Sequence, residues 1–200
     1  ASSGIGEASA IKFAKKNAKI VLVARRKEKL LQLQKKLVKF TDSTLVCQCD
    51  VSNKTQVKEM TDIVLDTFGR IDVLINNAGF VIYGKVSELS IEEIESQMET
   101  NYFGMIYCTK NFLPHMIEQG KGHIVNVASV GASFGVPGVA SYCATKFAVE
   151  GFTKAMAIEL GPSKIRVNTI CPTFIKTALT ESTLDDPIKK DWVLSKIKLN

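Results

Sequence analysis

The sequence predicts an α/β protein: a doubly wound parallel sheet in three layers, built as one domain over residues 1–200. Two observations carry this expectation. Short apolar, β-branched runs alternate with helical patterns from one end of the chain to the other, the pattern of strands joined by crossover helices. The runs are also near-continuous in Val, Ile and Leu, as strands are when helices cover both faces.

In chain order, ASSGIGEASA sets Gly4 and Gly6 at the start of a helix expected over 6–16. AKIVLVA (18–24) reads as a strand and 26–39 as the helix after it. STLVCQCDV (43–51) is the next strand, and a helix over 54–68 follows a turn holding Ser52 and Asn53, both cap formers. IDVLINNAG (71–79) is a strand, and a single long helix over 91–119 opens on Ser90 and Glu93 at capping-box spacing. GHIVNVAS (122–129), a helix over 139–160 and IRVNTICP (165–172) follow. A sheet of this kind is wound outward from a central first strand preceding the glycine turn. That strand is not in the sequence, so the domain is expected to be incomplete at its start, and also at its C-terminal end.

Composition is that of an ordinary globular chain, 46% hydrophobic and 23% charged. The net charge of +6 comes partly from residues 25–29 and from Lys35, Lys36 and Lys39, which read as a solvated helix face. Nucleic-acid binders carry denser basic clusters interleaved with stacking aromatics, so no nucleic-acid partner is expected. Cys47 and Cys49 are two apart in a strand and share a face, which rules out an ordinary bridge between them. Five cysteines without a pairing framework, and His115 and His123 far from them, point to a reducing compartment and no metal site. No apolar run reaches membrane-spanning length. The expectation is a cytoplasmic protein, with an anchor ahead of Ala1 left open.

Ligands of open parallel sheets bind beyond the carboxyl ends of the strands, so the chemistry is sought there. At the glycine turn, Ser2, Ser3, Gly4, Ile5 and Gly6 offer hydroxyls and backbone amides that suit a pyrophosphate, or form a plain turn. VARR ends the next strand. Arg25 lies 19 residues after Gly6, where a carboxylate would grip a ribose 2′-hydroxyl; Arg25 and Arg26 instead suit a 2′-phosphate, or begin a solvated helix. Asp50 and Val51 end the following strand, Asp50 able to accept from an adenine amino group or to cap the helix beyond it. Asn77, Ala78 and Gly79 form a slim turn against which a ribose could lie.

In SYCATKFAVEG, Tyr142 and Lys146 are four apart and share one face of the helix over 139–160. This is either a half-buried phenol beside a solvated ammonium, or a phenol whose proton the ammonium makes easier to remove. Ser129, 13 residues before Tyr142, closes its strand where its hydroxyl could face the phenol. Asn101 is a polar residue inside the long helix, placed to bond its own backbone or to hold a water behind Lys146.

Taken together, these stretches resemble the short-chain dehydrogenase/reductase family in its single-domain branch, with a Rossmann fold. The matching pieces are the glycine turn at Gly4 and Gly6, Asp50, NNAG, Asn101, Ser129 and Y-x-x-x-K at 142–146, and they cover nearly the whole chain. The resemblance implies a catalytic tetrad. Tyr142 acts as general acid/base, Ser129 holds the substrate oxygen, Lys146 binds the nicotinamide ribose and depresses the Tyr142 pKa, and Asn101 keeps a relay water. It also implies a nicotinamide cofactor and adds Pro172, Thr173, Ile175 and Thr177 to its contacts; Arg25 and Arg26 in the carboxylate's slot lead to the expectation of NADP(H) over NAD(H), with Arg25 the main contact and Arg26 a second contact or a stacking plane for adenine. Three departures stand out. The family's first loop glycine falls before Ala1, its usual Pro-Gly reads Pro172-Thr173, and the chain ends inside the substrate-lid region.

The expected activity is therefore hydride transfer between nicotinamide and a carbonyl or secondary alcohol. The alternative is a cofactor-binding regulatory protein of the same fold without turnover. A serine hydrolase built on Ser129 lacks a placed His and a nucleophile-elbow pattern. Apolar residues recurring along 91–119 and 139–160 predict a homodimer or homotetramer through those helices.

Overall fold

The computed structural model describes residues 1–196. Helix α1 (Gly4–Ala14) leads to β1 (Ile20–Ala24), α2 (Lys27–Leu37), β2 (Thr44–Gln48) and α3 (Lys54–Phe68). Then come β3 (Val73–Asn76), α4 (Ile91–Met98), a π-helical turn (Glu99–Phe103), α5 (Gly104–Gln119) and β4 (Gly122–Val127). A 3₁₀ turn (Val130–Ala132), α6 (Ala140–Leu160), β5 (Ile165–Ile170), α7 (Glu181–Leu184) and α8 (Pro187–Lys196) follow. Each described strand pair is parallel.

The strands form two sheets, β1–β2 and β3–β4–β5, and not the one continuous sheet that the strand pattern suggests. Between the facing edges of β1 and β3 lies a cavity of about 620 Å³, lined by Val21, Val23, Leu74, Met105, Cys108 and Phe112. The place of the expected central strand is thus an apolar slot. The helices hold their positions around it.

Local chemistry sets the element ends. Asn53 Oδ1 accepts from Gln56 N at 3.1 Å and caps α3. Gly69 ends α3 with φ of 69°, a conformation that costs glycine little. Ser90 and Glu93 form the full capping box of α4, at 3.1 and 2.9 Å. On α2, Leu30, Leu33 and Leu37 recur on one face and are buried with Leu22 of β1 and Ala10 and Ala14 of α1. Each such leucine contributes roughly 1.5–3 kcal/mol of burial. Cys47, Cys49, Val57, Met60, Val64, Cys108 and Phe112 form a second cluster, which packs α3 on α5 and so spans both sheets. Burial raises the Cys49 thiol to about 11 and that of Cys108 to about 12, so these cysteines pack as small apolar groups.

The single helix expected over 91–119 is interrupted. Gly104 N–H donates to Glu99 O, five residues back, and the inserted turn carries Asn101. Such turns recur at functional sites because they swing one side chain out of register with its helix.

Candidate active site

The carboxyl ends of β3 and β4, the start of α6 and the segment after β5 converge on one cleft of about 170 Å³. It is lined by Ser3, Gly4, Ile5, Asn77, Gly79, Ser129, Tyr142, Lys146, Pro172, Thr173, Ile175 and Thr177. Residues from five separate stretches, each placed at this site from the sequence, thus meet. Gly6, Val51 and Ala78 border the cleft's neighbour; they line the slot between the sheets.

Two glycines are needed for this approach. Gly4 has φ of +55°, and a Cβ on it would lie 3.2 Å from Thr177 Cγ2. A Cβ on Gly6 would lie 2.8 Å from Asn77 Nδ2, a distance real side chains do not tolerate. No side chain caps α1, so its first amides stay available to an anion. Arg26 folds back over this turn, donating to Ser2 Oγ at 2.9 Å and Ser3 Oγ at 3.1 Å. Arg25 instead faces Asp50 across 3.9 Å in an exposed pair. Arg26 is thus the arginine that reaches the glycine turn. A β-strand turns successive side chains to opposite sides, and the strand ends at Ala24. Asp50 Oδ1 accepts from Ser52 N at 3.1 Å and Ser52 Oγ at 2.7 Å, which makes it the brace of its own turn.

Asn101 is buried and bonds neither to its own helix nor along it. Its Oδ1 accepts from Phe80 N at 2.9 Å, and its Nδ2 donates to Phe80 O at 2.8 Å and to Thr145 Oγ1 at 3.2 Å. Thr145 in turn donates to Tyr142 O at 2.8 Å. The amide therefore ties the loop after β3 to the turn of α6 that bears Tyr142. Thr145 was not among the expected site residues; its place between Tyr142 and Lys146 is the sequence signal that could have found it.

Ser129 Oγ accepts from Gly131 N at 3.1 Å, which leaves its own hydrogen to donate elsewhere. Burial raises the Tyr142 pKa; the facing Ser129 hydroxyl opposes the rise, and Cys143 and Tyr83 add to it. Burial outweighs the Ser129 hydroxyl, and Lys146 is not among the causes of the shift. Lys146 is 5% exposed, donates to Val127 O at 2.8 Å, and lies over the face of the Tyr142 ring at 5.6 Å from its centre. Its own pKa is lowered to about 8 by burial, with Cys171 opposing.

A glycine-cradled helix start, a paired arginine turn and a phenol, hydroxyl and amine in one cleft are the parts of a nucleotide-dependent oxidoreductase. The short chain dehydrogenase family model matches residues 1–187, and the chain belongs to that family. It is 39% identical over 180 residues to a meso-2,3-butanediol dehydrogenase of Serratia marcescens, covering 90% of this chain and 70% of that one. Among solved structures, it resembles a gluconate 5-dehydrogenase from Burkholderia cenocepacia in complex with NADP and tartrate. That match has 30% identity and a TM-score of 0.89, over 96% of this chain and 75% of the other. An NAD⁺-bound xylitol dehydrogenase is similar too, with 31% identity and a TM-score of 0.82, over 85% of this chain and 66% of the other. The chain spans 64% of a short-chain dehydrogenase from Streptomyces avermitilis, at 32% identity and a TM-score of 0.81 over 89% of its own length. The fold is shared with these oxidoreductases. No described helix is long and apolar enough to cross a membrane.

Proposed function

We propose that the protein is an NADP(H)-dependent oxidoreductase acting on a carbonyl or secondary alcohol, with Tyr142 as general acid/base. The observation that carries this reading is the meeting of Ser129, Tyr142 and Lys146 with the glycine turn in one cleft. The nicotinamide, when bound, supplies or accepts the hydride; the chain supplies position and a proton. Tyr142 gives its proton to the substrate oxygen in reduction and takes it back in oxidation. Ser129 directs its free hydrogen to the same oxygen. Lys146 offers its remaining hydrogens to ribose hydroxyls, and Asn101 steadies the turn beneath Tyr142. Turnover of 2,3-butanediol, gluconate and xylitol with NADP⁺ and with NAD⁺ tests the class. Failure on a broad panel of alcohols and carbonyls would remove it.

The preference for NADP(H) rests on Arg25 and Arg26 standing where NAD-selective folds carry a carboxylate. The contacts of Arg26 with Ser2 and Ser3 support giving it the larger share, with Arg25 a second ligand of the phosphate or a plane for adenine. A charge-assisted bond of this kind is worth about 1.5–3 kcal/mol, roughly ten- to a hundredfold. Titration is therefore expected to show tighter binding of NADPH than NADH, and Arg26→Ala to narrow the gap by that factor. Equal or tighter binding of NADH by the parent protein defeats the assignment.

Exposed Phe103 and Phe147 on the 99–119 and 140–160 helices, with Ile158 at 80% exposure, support association of copies through those faces. Sedimentation at micromolar protein is expected to give a dimer or tetramer, and a monomer there excludes it. The five unpaired thiols suit a reducing compartment, in keeping with a cytoplasmic protein.

A further inference from the structure

We propose that Gln97 is a positioning residue for the substrate side of the cleft: through Ile82 it holds the loop over 79–84 that crosses the turn of α6 carrying Tyr142. The inference rests on the functional reading above and adds to it a part of the site outside the tetrad.

The path of the loop is set at both ends. Gly79 lies beside the tetrad, where a Cβ would come 3.5 Å from Lys146 Nζ and 3.1 Å from Asn101 Oδ1. Gly84 N donates to Gly138 O at 2.9 Å, two residues before α6 begins. Between these points the loop spans the first turns of α6. Asn101 grips both backbone groups of Phe80, and Gln97 Oε1 accepts from Ile82 N at 3.0 Å. The described bonds thus fall on residues 80, 82 and 84, leaving Val81 and Tyr83 as the residues between anchors. Tyr83 is 55% exposed, and its phenol is near enough to Tyr142 to raise that group's pKa.

The side chain of Gln97 is fully buried, and its Nε2 has no hydrogen-bond partner among the described residues. An orphaned buried donor costs stability, and an apolar side chain of like volume would pack there without that cost. What the amide provides at this position is its oxygen. Gln97 stands four residues before Asn101, on the last turn of α4, and Asn101 stands in the π turn that begins at Glu99. Two amides from one interrupted helix therefore hold successive anchors of one loop. Productive geometry is sensitive to displacements of about 1 Å, so such a hold acts on substrate binding before it acts on the cofactor.

The test uses 2,3-butanediol with NADP⁺ as the probe pair. Gln97→Met removes the acceptor at nearly constant volume, and is expected to raise KM for the diol about tenfold, the worth of one backbone hydrogen bond, with kcat nearly unchanged. NADPH affinity stays at the parent value, and the Ile82 amide loses protection from hydrogen exchange. Gln97→Glu keeps an acceptor, because burial holds its carboxyl protonated, and is expected to restore KM. Tyr83→Ala alters an exposed position that folding does not need, and is expected to raise KM without changing NADPH binding. A parent-like KM in Gln97→Met or in Tyr83→Ala overturns the inference. So does a joint fall of kcat, substrate affinity and NADPH affinity, or a Gln97→Glu protein no better than Gln97→Met. A parent protein that turns over no alcohol or carbonyl while still binding NADPH defeats the functional reading, and this one with it.

Discussion

Replacing Tyr142 with phenylalanine is expected to lower turnover between a hundred- and ten-thousandfold, the range of a general acid/base contribution, while NADPH binding is unchanged. The hydroxyl acts on a proton, whereas the cleft that would hold the cofactor is built from many other groups, Gly4, Asn77, Gly79 and Thr177 among them. The acid/base role fixes the sign of the pH dependence, and the raised phenol pKa moves it to higher pH. Reduction needs the protonated phenol, so its rate stays level through neutral pH and falls only where the phenol ionises. Oxidation needs the phenolate, so its rate climbs with pH over the same range. Rate profiles in both directions read this out. A phenylalanine variant within tenfold of the parent would falsify the acid/base role.

Lys146→Met is expected to abolish turnover and, at neutral pH, to stabilise the fold. The buried amine has its pKa lowered from 10.5 to about 8. Each unit is worth about 1.4 kcal/mol, so the folded state bears a penalty on the order of 3 kcal/mol for holding this charge at low pH. That is an upper bound on the gain, since Val127 O loses its donor in the variant. The folded pKa lies below the unfolded one. The penalty is therefore complete below about 8 and is relieved as pH rises from there towards 10.5, where both states lose the proton. The stability gap between variant and parent should be widest at pH 6–7 and close through that window. Melting curves across pH settle it; a variant less stable than the parent at pH 7, or a gap that does not narrow, rules the account out. Function would then be retaining a charge that stability disfavours, a common trade at active sites.

Much of the fold was readable from local signals. Helix α3 begins and ends where Asn53 and Gly69 demand, and α4 starts on its capping box. The convergence of Ser129, Tyr142 and Lys146 followed from strand ends and helical spacing, since both are short-range rules. Three things escaped, each for a tertiary reason. The π turn at Asn101 exists because a buried amide reaches across to Phe80, which no periodicity records. The direction of the Tyr142 shift depends on burial, which helical spacing does not record. Which arginine turns towards Ser2 and Ser3 depends on where β1 stops, and strand ends are uncertain by a residue or two.

The described strands pair in two groups that share one apolar cluster. Backbone hydrogen bonding ties β1 to β2, and β3 to β4 and β5, but no described ladder joins the two groups. Their union depends on side chains, chiefly the cluster in which Met60 and Val64 of α3 meet Cys108 and Phe112 of α5.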